Sequence, residues 1–259
     1  MIFLIGENGF LGSAIKRTLK EKKLRFIGIN KKNYKNFVGK KCDVLINAST
    51  NSKKFIANED YQKDYKLTVN NVINTIKDFD FSKYVLVSSS EVYQYQNIKN
   101  SKENYKINPD NLSNYGLNKF IAENILKRNS RNWLIIRCGG MIGNNLKKNP
   151  IFDLINKKKL RVSLKSKFQF IDTKVVSDCI LKLISKEINN EIFNLSAKGN
   201  ISLDQVVKKF KLNPIIDNTN LPKLNYNINT NKISRHFKIN TTEYYLYNYL
   251  TSLKLNDHI

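Results

Sequence analysis

Residues that build disulfide frameworks and metal sites are scarce in this sequence. It contains only three cysteines and two histidines among 259 residues. The cysteines are odd in number and far apart, and they lack the spacing of a metal or redox motif. Two histidines exclude a histidine-rich metal centre. We therefore predict no metal site, and we expect a protein of the reducing cytoplasm.

Long hydrophobic stretches are also missing. No apolar run approaches the roughly 20 residues that a helix needs to cross a bilayer. The apolar start of the chain, residues 1–5, is too short for the core of a signal peptide and leads directly into a glycine-containing turn. The sequence therefore predicts no membrane association.

Acidic residues are few. The chain has 21 Asp and Glu against 45 Lys and Arg, a formal net charge of +24. Such a charge is compatible with nucleic-acid binding, but the lysines are spread along the whole chain and no arginine-rich segment with interleaved aromatics occurs. We interpret the charge as a compositional bias toward Lys and Asn, and we do not expect nucleic acid as a partner. One dense basic cluster, residues 157–167, is either a solvated face or a ligand-binding segment.

Short apolar runs alternate with longer helical patterns, as in βαβ units with a parallel sheet. Most of the runs are continuous rather than alternating, which predicts strands buried on both faces. The predicted strands are residues 2–5, 26–29, 44–47, 84–88, 133–137, 168–171 and 192–195. The predicted helices are residues 10–22, 59–78, 114–129, 151–158, 173–186, 202–210 and 242–253. The expected fold is a doubly wound, Rossmann-like α/β domain.

The regular pattern weakens beyond about residue 200, where Asn-rich turns precede one last amphipathic stretch. We interpret this part as a small, discontinuous C-terminal lobe that packs against the sheet. The predicted dinucleotide-binding domain comprises residues 1–148 and about 168–200, and the lobe comprises about 149–167 and 201–259.

A glycine-rich turn directly follows the first predicted strand. Gly6 permits a tight turn, Gly9 lets the backbone approach a pyrophosphate, and Gly12 permits close packing of helix on strand. The helix that starts with Phe10 and Leu11 offers free N–H donors and a partial positive charge to phosphate groups. These five residues are candidate cofactor-binding residues.

The end of the second strand lies where an acid would bind the adenosine ribose of NAD. The residues here are Asn30, Lys31 and Lys32, without an acid. Two lysines and no carboxylate suit the 2′-phosphate of NADP. Because lysine is abundant throughout the chain, the sequence favours NADP but leaves NAD open.

Tyr115 and Lys119 stand one helical turn apart on the same face. A free tyrosine has a pKa of about 10, too high for acid or base work at neutral pH. An ammonium about 4 Å away stabilises tyrosinate by about 4 kcal/mol at an effective dielectric constant of about 20. We therefore predict that Lys119 lowers the pKa of Tyr115 enough for proton exchange near pH 7.

Hydroxyl groups follow the fourth predicted strand, at residues 88–90. Ligands bind at the carboxyl edge of a parallel sheet, so a serine there can hydrogen-bond a reacting oxygen near Tyr115. A serine run at a strand end is equally typical of a turn or a helix cap.

Together these motifs resemble the extended short-chain dehydrogenase/reductase family, in particular its NAD(P)-dependent sugar epimerase/dehydratase branch. The matching segments occur in the family's order over about residues 1–210. They are GENGFLG at 6–12, DVLINA at 43–48, NVINT at 71–75, SSSEVY at 88–93, SNYGLNK at 113–119, IR at 136–137, FI at 170–171 and FNL at 193–195.

The resemblance implies roles for individual residues. Ser89 matches the catalytic Ser or Thr, Tyr115 the acid/base, and Lys119 the residue that holds the nicotinamide ribose and lowers the pKa of the tyrosine. Asn47 and Ala48 are implied to contact the cofactor.

The implied substrate-binding residues include several departures from the family pattern. They are Ser89, Ser90, Glu91, Gly140 and Arg161. Ser90 replaces the Asp that precedes the Glu of sugar dehydratases, and Gly140 stands where many members carry a substrate-binding Asn. In the basic segment, Arg161 or Lys165 is expected to meet the nucleotide diphosphate.

The resemblance implies hydride transfer to a carbon of a nucleotide-activated sugar. Reduction of a 4-keto sugar nucleotide for surface polysaccharide precursors is expected first, because the acid pair of dehydratases is incomplete and the lobe is short. An NAD-dependent 4-epimerase is the alternative. A non-catalytic NADP-sensing or RNA-binding relative is the alternative outside the enzymes. A homodimer through the Tyr115 helix is also implied.

Overall fold

A parallel sheet of six strands forms the centre of the protein. The computed structural model describes residues 1–94, 96–216 and 220–255. The strands of the large sheet are β1 (Ile2–Ile5), β2 (Phe26–Ile29), β3 (Lys41–Asn47), β4 (Asp80–Ser89), β5 (Trp133–Cys138) and β9 (Glu191–Leu195). Their order is β2-β1-β3-β4-β5-β9, with every neighbouring pair parallel. Because the connections diverge on either side of β1, a crevice forms at the carboxyl ends of β1 and β3.

Helices cover both faces of this sheet. The helices of the described residues are α1 (Phe10–Glu21), α2 (Lys54–Glu59), α3 (Tyr61–Tyr65), α4 (Asn71–Asp78), α5 (Asn114–Asn129), α6 (Pro150–Ile155), α7 (Thr173–Ser185), α8 (Leu203–Phe210), α9 (Asn231–Ser234) and α10 (Thr242–Leu255). Helices α1 and α7 pack together on one face, and α4 and α5 on the other. Two hydrophobic cores result, and β1 contributes Leu4 to one and Phe3 and Ile5 to the other. The predicted doubly wound α/β fold is confirmed.

Four short strands form two small sheets outside the large one. They are β6 (Gly140–Ile142), β7 (Lys167–Phe168), β8 (Phe170–Asp172) and β10 (Ile201–Ser202). The predicted single strand 168–171 is wrong, because the chain divides it between β7, which pairs with β10, and β8, which pairs with β6. The division falls at Gln169, whose buried side chain bonds the backbone of Ala197 and Ile228.

The helix predicted over residues 59–78 is also wrong as one element. Helix α2 ends at Glu59, and Asp60 leaves the helical conformation with φ −148° and ψ 90°. The Asp60 carboxylate then caps α3 by accepting the N–H of Lys63 at 2.8 Å. One π-helical turn, Lys66–Asn70, connects α3 to α4. A capping aspartate therefore interrupts an otherwise helical periodicity.

The last part of the chain packs against β8 and against the loop that follows β4. Helix α10 contacts β8, and Asn227 donates its backbone N–H to the carbonyl of Gln96 at 2.8 Å. In the described part of the chain, no helix combines the length and the apolar character that a bilayer crossing requires.

Candidate active site

The glycine turn after β1 has a geometry that side chains would block. Gly6 has φ +85°, and a Cβ there would lie 2.9 Å from the backbone of Ala48 and Ser49. A Cβ at Gly12 would lie only 2.0 Å from the carbonyl oxygen of Gly6. These contacts are with backbone, which cannot swing away. The turn therefore requires glycine at both positions.

The amino end of α1 opens from this turn without a side-chain cap. Gly9 is the N-cap residue, and the first turn carries no acid. The N–H groups of Phe10, Leu11 and Gly12 have no acceptor within the helix, because they belong to its first turn. Free donors and the positive end of a helix dipole suit a pyrophosphate. The residues present thus fit a dinucleotide cofactor.

Asn47 and Ala48, at the end of β3, make different contacts: Ala48 contacts the glycine turn, and Asn47 forms hydrogen bonds inside the protein. Ala48 donates its N–H to Ile5 at 3.0 Å, so it lies against the glycine turn. The Asn47 amide donates to Asn71 Oδ1 at 2.8 Å and to the Tyr84 hydroxyl at 2.7 Å. The buried Asn47 side chain therefore supports the strand end from inside the protein.

A carboxylate from another segment of the chain lies beside the end of β2, which the sequence of that strand did not indicate. Asn30 donates from Nδ2 to Oε1 of Glu7 at 2.9 Å, so an acid of the glycine turn lies beside it. Lys31 and Lys32 are exposed, and the backbone N–H of Lys32 bonds Asn30 Oδ1 at 2.9 Å. Glu7 lies between two glycines of the turn, at a position to which the glycine spacing assigns no residue type, so only its spatial neighbours make it notable.

Ser89, Tyr115 and Lys119 come together at the carboxyl edge of the sheet. Tyr115 is buried, and its hydroxyl donates to the carbonyl oxygen of Asn51 at 3.2 Å. The Ser89 hydroxyl interacts with the same phenol. Lys119 Nζ donates to Thr50 Oγ1 at 2.6 Å and lies 5.4 Å from the centre of the Tyr115 ring. The side chains predicted to be catalytic are thus neighbours.

The electrostatics of this group differ from the expectation. The pKa of Tyr115 is raised, first because burial disfavours the phenolate and then because of the negative charge of Glu91. A hydrogen bond with Ser89 opposes this change in the pKa of Tyr115. The predicted lowering of the pKa of Tyr115 is therefore wrong in direction, because desolvation by burial is the largest cause of the change. Burial also lowers the pKa of Lys119 to about 8, against the opposing charge of Asp64.

A buried carboxylate holds the loop beside Tyr115, and sequence reasoning missed it. Asp64 accepts from Asn51 Nδ2 at 2.6 Å and from Asn118 Nδ2 at 2.7 Å. Since Asn51 provides the acceptor of the Tyr115 hydroxyl, Asp64 fixes that loop against α5. Asp64 precedes the buried Thr68 by four residues and the buried Val72 by eight, so it lies on the apolar face of the helical segment. This spacing could have indicated from the sequence that Asp64 is buried.

Glu91 lies at the border of an open cleft of about 430 Å³. Its carboxylate pairs with Lys54, which also donates to the Tyr226 hydroxyl at 2.9 Å. Ser90 is buried, and its carbonyl accepts from Gln96 at 2.7 Å. Among the residues that the structure describes, the cleft is lined by Glu91, Tyr93, Gln94, Gln96, Asn97, Asn111, Leu112, Ser113, Lys223, Leu224, Asn225 and Tyr226.

Gly140 and Arg161 do not line this cleft. A Cβ at Gly140 would lie 2.4 Å from the carbonyl oxygen of Gln169, so β6 has no room for a side chain there. Arg161 is exposed. Burial raises the pKa of Asp153, and the positive charges of Lys158 and Arg161 oppose this change. Neither residue joins the group around Tyr115. Among the described residues, no group of three or more His, Cys, Asp or Glu side chains forms a metal-type cluster.

Known proteins match this chain by family and by fold. The family model described as the RmlD substrate binding domain matches residues 1–220. No curated protein sequence matches the chain.

Three solved structures have the same fold. A dTDP-4-dehydrorhamnose reductase of Clostridium acetobutylicum is 20% identical, with a TM-score of 0.80, covering 98% of this chain and 99% of the other. The dTDP-4-dehydrorhamnose reductase of Bacillus anthracis, in complex with NADP, is 16% identical, with a TM-score of 0.80 and coverages of 97% and 98%. A UDP-glucose 4-epimerase of Thermus thermophilus, in complex with NAD, is 13% identical, with a TM-score of 0.75 and coverages of 91% and 92%.

Proposed function

Because the chain belongs to the RmlD substrate binding domain family, we propose that it is an oxidoreductase that reduces a 4-keto sugar nucleotide. This membership confirms the resemblance to extended short-chain dehydrogenases/reductases that the motifs indicated. The two dTDP-4-dehydrorhamnose reductases, one of them in complex with NADP, support a nucleotide-sugar reductase. The product would serve as a precursor of surface polysaccharide.

The observation that carries the proposal is the convergence of Ser89, Tyr115 and Lys119 beside the glycine turn. NADPH or NADH, when bound, would supply the hydride. The Tyr115 hydroxyl gives its proton to the oxygen of the substrate as the carbonyl becomes an alcohol. Ser89 donates a hydrogen bond to that oxygen, and Lys119 holds the ribose next to the nicotinamide. Asp64 positions this group through Asn51 and Asn118.

Reduction of a ketone needs a proton donor next to the carbonyl oxygen, and Tyr115 can supply this proton. Burial raises the pKa of its phenol, so the hydroxyl remains protonated at neutral pH. A protonated phenol is ready to act as an acid, which reduction of a ketone requires.

The cleft bordered by Glu91 and Tyr226 is the proposed site of the nucleotide-sugar. Glu91 links it to the Tyr115 helix, because a Cβ at Gly116 would lie 2.2 Å from the carbonyl oxygen of Glu91. Lys223 provides positive charge at its wall, and Lys54, paired with Glu91, lies next to it. Phosphate oxygens of a nucleotide diphosphate are complementary to such ammonium groups.

Cofactor stoichiometry tests the reaction. Purified protein is mixed with NADPH or NADH and a panel of 4-keto sugar nucleotides, and absorbance is followed with the sugar product. A reductase consumes one dinucleotide for each substrate converted. The Thermus UDP-glucose 4-epimerase supports the second candidate, and an epimerase would convert substrate without net consumption of the dinucleotide.

A binding assay distinguishes the non-enzymatic alternative. The net charge of +24 favours an RNA-binding or NADP-sensing relative. Binding of mixed RNA at about 150 mM salt, combined with no oxidation of either dinucleotide by any keto sugar, would support that alternative. Reduction of one keto sugar without RNA binding supports the enzyme.

The proposal extends to assembly and location. An apolar groove on α5, lined by Leu117, Phe120, Ile121 and Ile125, supports a homodimer through this helix. Light scattering of Phe120→Glu would then report a monomer while the wild type reports a dimer. Three free, buried cysteines suit the cytoplasm. The division into a dinucleotide-binding domain and a substrate lobe stays a prediction.

A further inference from the structure

Glu7 places a carboxylate over the second strand, although the end of that strand contains none. The residue is 8% exposed. A Cβ added to Gly28 in β2 would lie 2.0 Å from Glu7 Oε2, so the carboxylate occupies the space that this glycine leaves open. Its other oxygen, Oε1, accepts from Asn30 Nδ2 at 2.9 Å. The acid therefore lies where a ribose-binding residue of a dinucleotide site is expected.

The carboxylate is held in position and keeps its charge. Lys16 of α1 pairs with it at 2.6 Å between Nζ and Oε2. The hydrogen bond from Lys16 is the largest cause that keeps the pKa of Glu7 below its usual value. Each carboxylate oxygen can accept two hydrogen bonds. Oε1 has one contact, from Asn30, and Oε2 has one, from Lys16, so each oxygen can accept a further donor.

We infer that Glu7 accepts hydrogen bonds from the adenosine ribose and makes NAD(H), rather than NADP(H), the preferred dinucleotide. The inference rests on the proposed function, since it concerns the cofactor of that same site. The 2′- and 3′-hydroxyls of NAD are donors that match a fixed carboxylate. The 2′-phosphate of NADP would bring a negative charge against Glu7, where low exposure weakens screening.

The two lysines on which the sequence-based preference for NADP rests have a weaker electrostatic effect than Glu7. Lys31 and Lys32 are exposed, and their ammonium groups stand on flexible stems in screened solvent. Asn30 is engaged by Glu7 and by the backbone of Lys32. Asn33 accepts the N–H of Asn30 at 2.7 Å and donates to the Gly28 carbonyl at 3.0 Å, which fixes this turn. A nearly buried carboxylate therefore outweighs two solvated ammonium groups.

Direct titration tests this preference without measuring turnover. The dissociation constants of NADH and NADPH are measured by fluorescence with the full chain at about 150 mM salt. We expect NADH to bind at least about tenfold more tightly, the usual size of an effect from a charged hydrogen bond. Glu7→Gln keeps the shape of the side chain and frees Lys16 from its partner. The preference should then fall by about tenfold, chiefly because NADPH binds more tightly.

Glu21→Gln is the matched control, because it removes one carboxylate at the far end of α1, where Glu21 forms an exposed pair with Lys174. The control should keep the preference of the wild type. A competition experiment needs no variant and remains valid if Glu7→Gln folds poorly. In it, adenosine 5′-monophosphate should displace NADH more effectively than adenosine 2′,5′-bisphosphate.

Each other outcome has a definite meaning. Equal affinities, or tighter NADPH binding by the wild type, would overturn the inference but leave the proposed function standing. An unchanged preference in a folded Glu7→Gln variant would also overturn it. If a folded wild type bound neither dinucleotide, the proposed function itself would fail, and the inference with it.

Discussion

Replacing Gly9 by alanine separates the folding of the glycine turn from its binding of a dinucleotide. Gly9 caps α1 with φ −73° and ψ 170°, angles that alanine adopts without strain. The added Cβ would lie 3.2 Å from the Gly6 carbonyl oxygen and 3.9 Å from that of Ala48. The first contact is tight and the second is ordinary, so the turn needs only a small adjustment.

The magnitudes follow from these contacts. Alanine restricts the unfolded chain and adds about 0.4–1 kcal/mol to the free energy of unfolding, while crowding at Gly6 and a poorer N-cap oppose this gain. The net change should stay within about 1 kcal/mol, which corresponds to about 2–4 °C in Tm for a chain of this size. The new methyl group, however, occupies the path of a pyrophosphate toward the helix. We expect the affinity for NADH or NADPH to fall at least about tenfold, or about 1.4 kcal/mol.

Gly12→Ala is the contrasting variant. Its Cβ would lie 2.0 Å from the oxygen and 2.8 Å from the carbon of the Gly6 carbonyl. Backbone atoms must move, so this variant should lose about 1–3 kcal/mol of stability or fail to fold. Thermal melts and fluorescence titrations of both variants give the comparison. A Gly9→Ala protein that unfolds like Gly12→Ala, or that binds dinucleotide like the wild type, would refute the reasoning.

Three further variants test the catalytic group and its support. Tyr115→Phe removes the proton donor, so turnover of a keto sugar should fall by about 10²–10⁴ while dinucleotide affinity stays unchanged; wild-type turnover would contradict the assigned role. Burial lowers the pKa of Lys119 from 10.5 to about 8, so the unfolded chain binds more protons between these values and stability rises with pH there. Urea unfolding from about pH 7.5 to 10 should show a smaller rise for Lys119→Met, and identical slopes would count against the shifted pKa. Glu123→Ala leaves Arg137 buried without its partner at 2.6 Å and should cost about 3–5 kcal/mol of stability; replacing both residues by apolar ones should recover most of the loss.

The sequence predicted the glycine turn and the Tyr115 helix because both depend on local spacing. Gly6, Gly9 and Gly12 directly follow a strand, and Tyr115 and Lys119 share one face of a helix. The broken helix around Asp60 was not predicted, because capping by one side chain competes with the periodicity of its neighbours. The strand around Gln169 was also misjudged, because its partners are distant in sequence.

The pKa of Tyr115 shows a second limit. Spacing brings Lys119 near the phenol, but burial is a property of the packed protein, and desolvation dominates at this position. Asp64 was missed for a similar reason, since its partners Asn51 and Asn118 belong to a loop and to another helix.

The sequence by itself determined the six strands of the large sheet, the glycine turn and the residue types of the catalytic group, because these follow from short-range patterns of polarity and backbone freedom. The tertiary structure alone decided which charges face one another. It placed Glu7 beside Asn30, Asp64 behind Tyr115 and Glu91 against Lys54. Electrostatic energies depend on distance and desolvation, and neither quantity exists until distant segments of the chain have packed together.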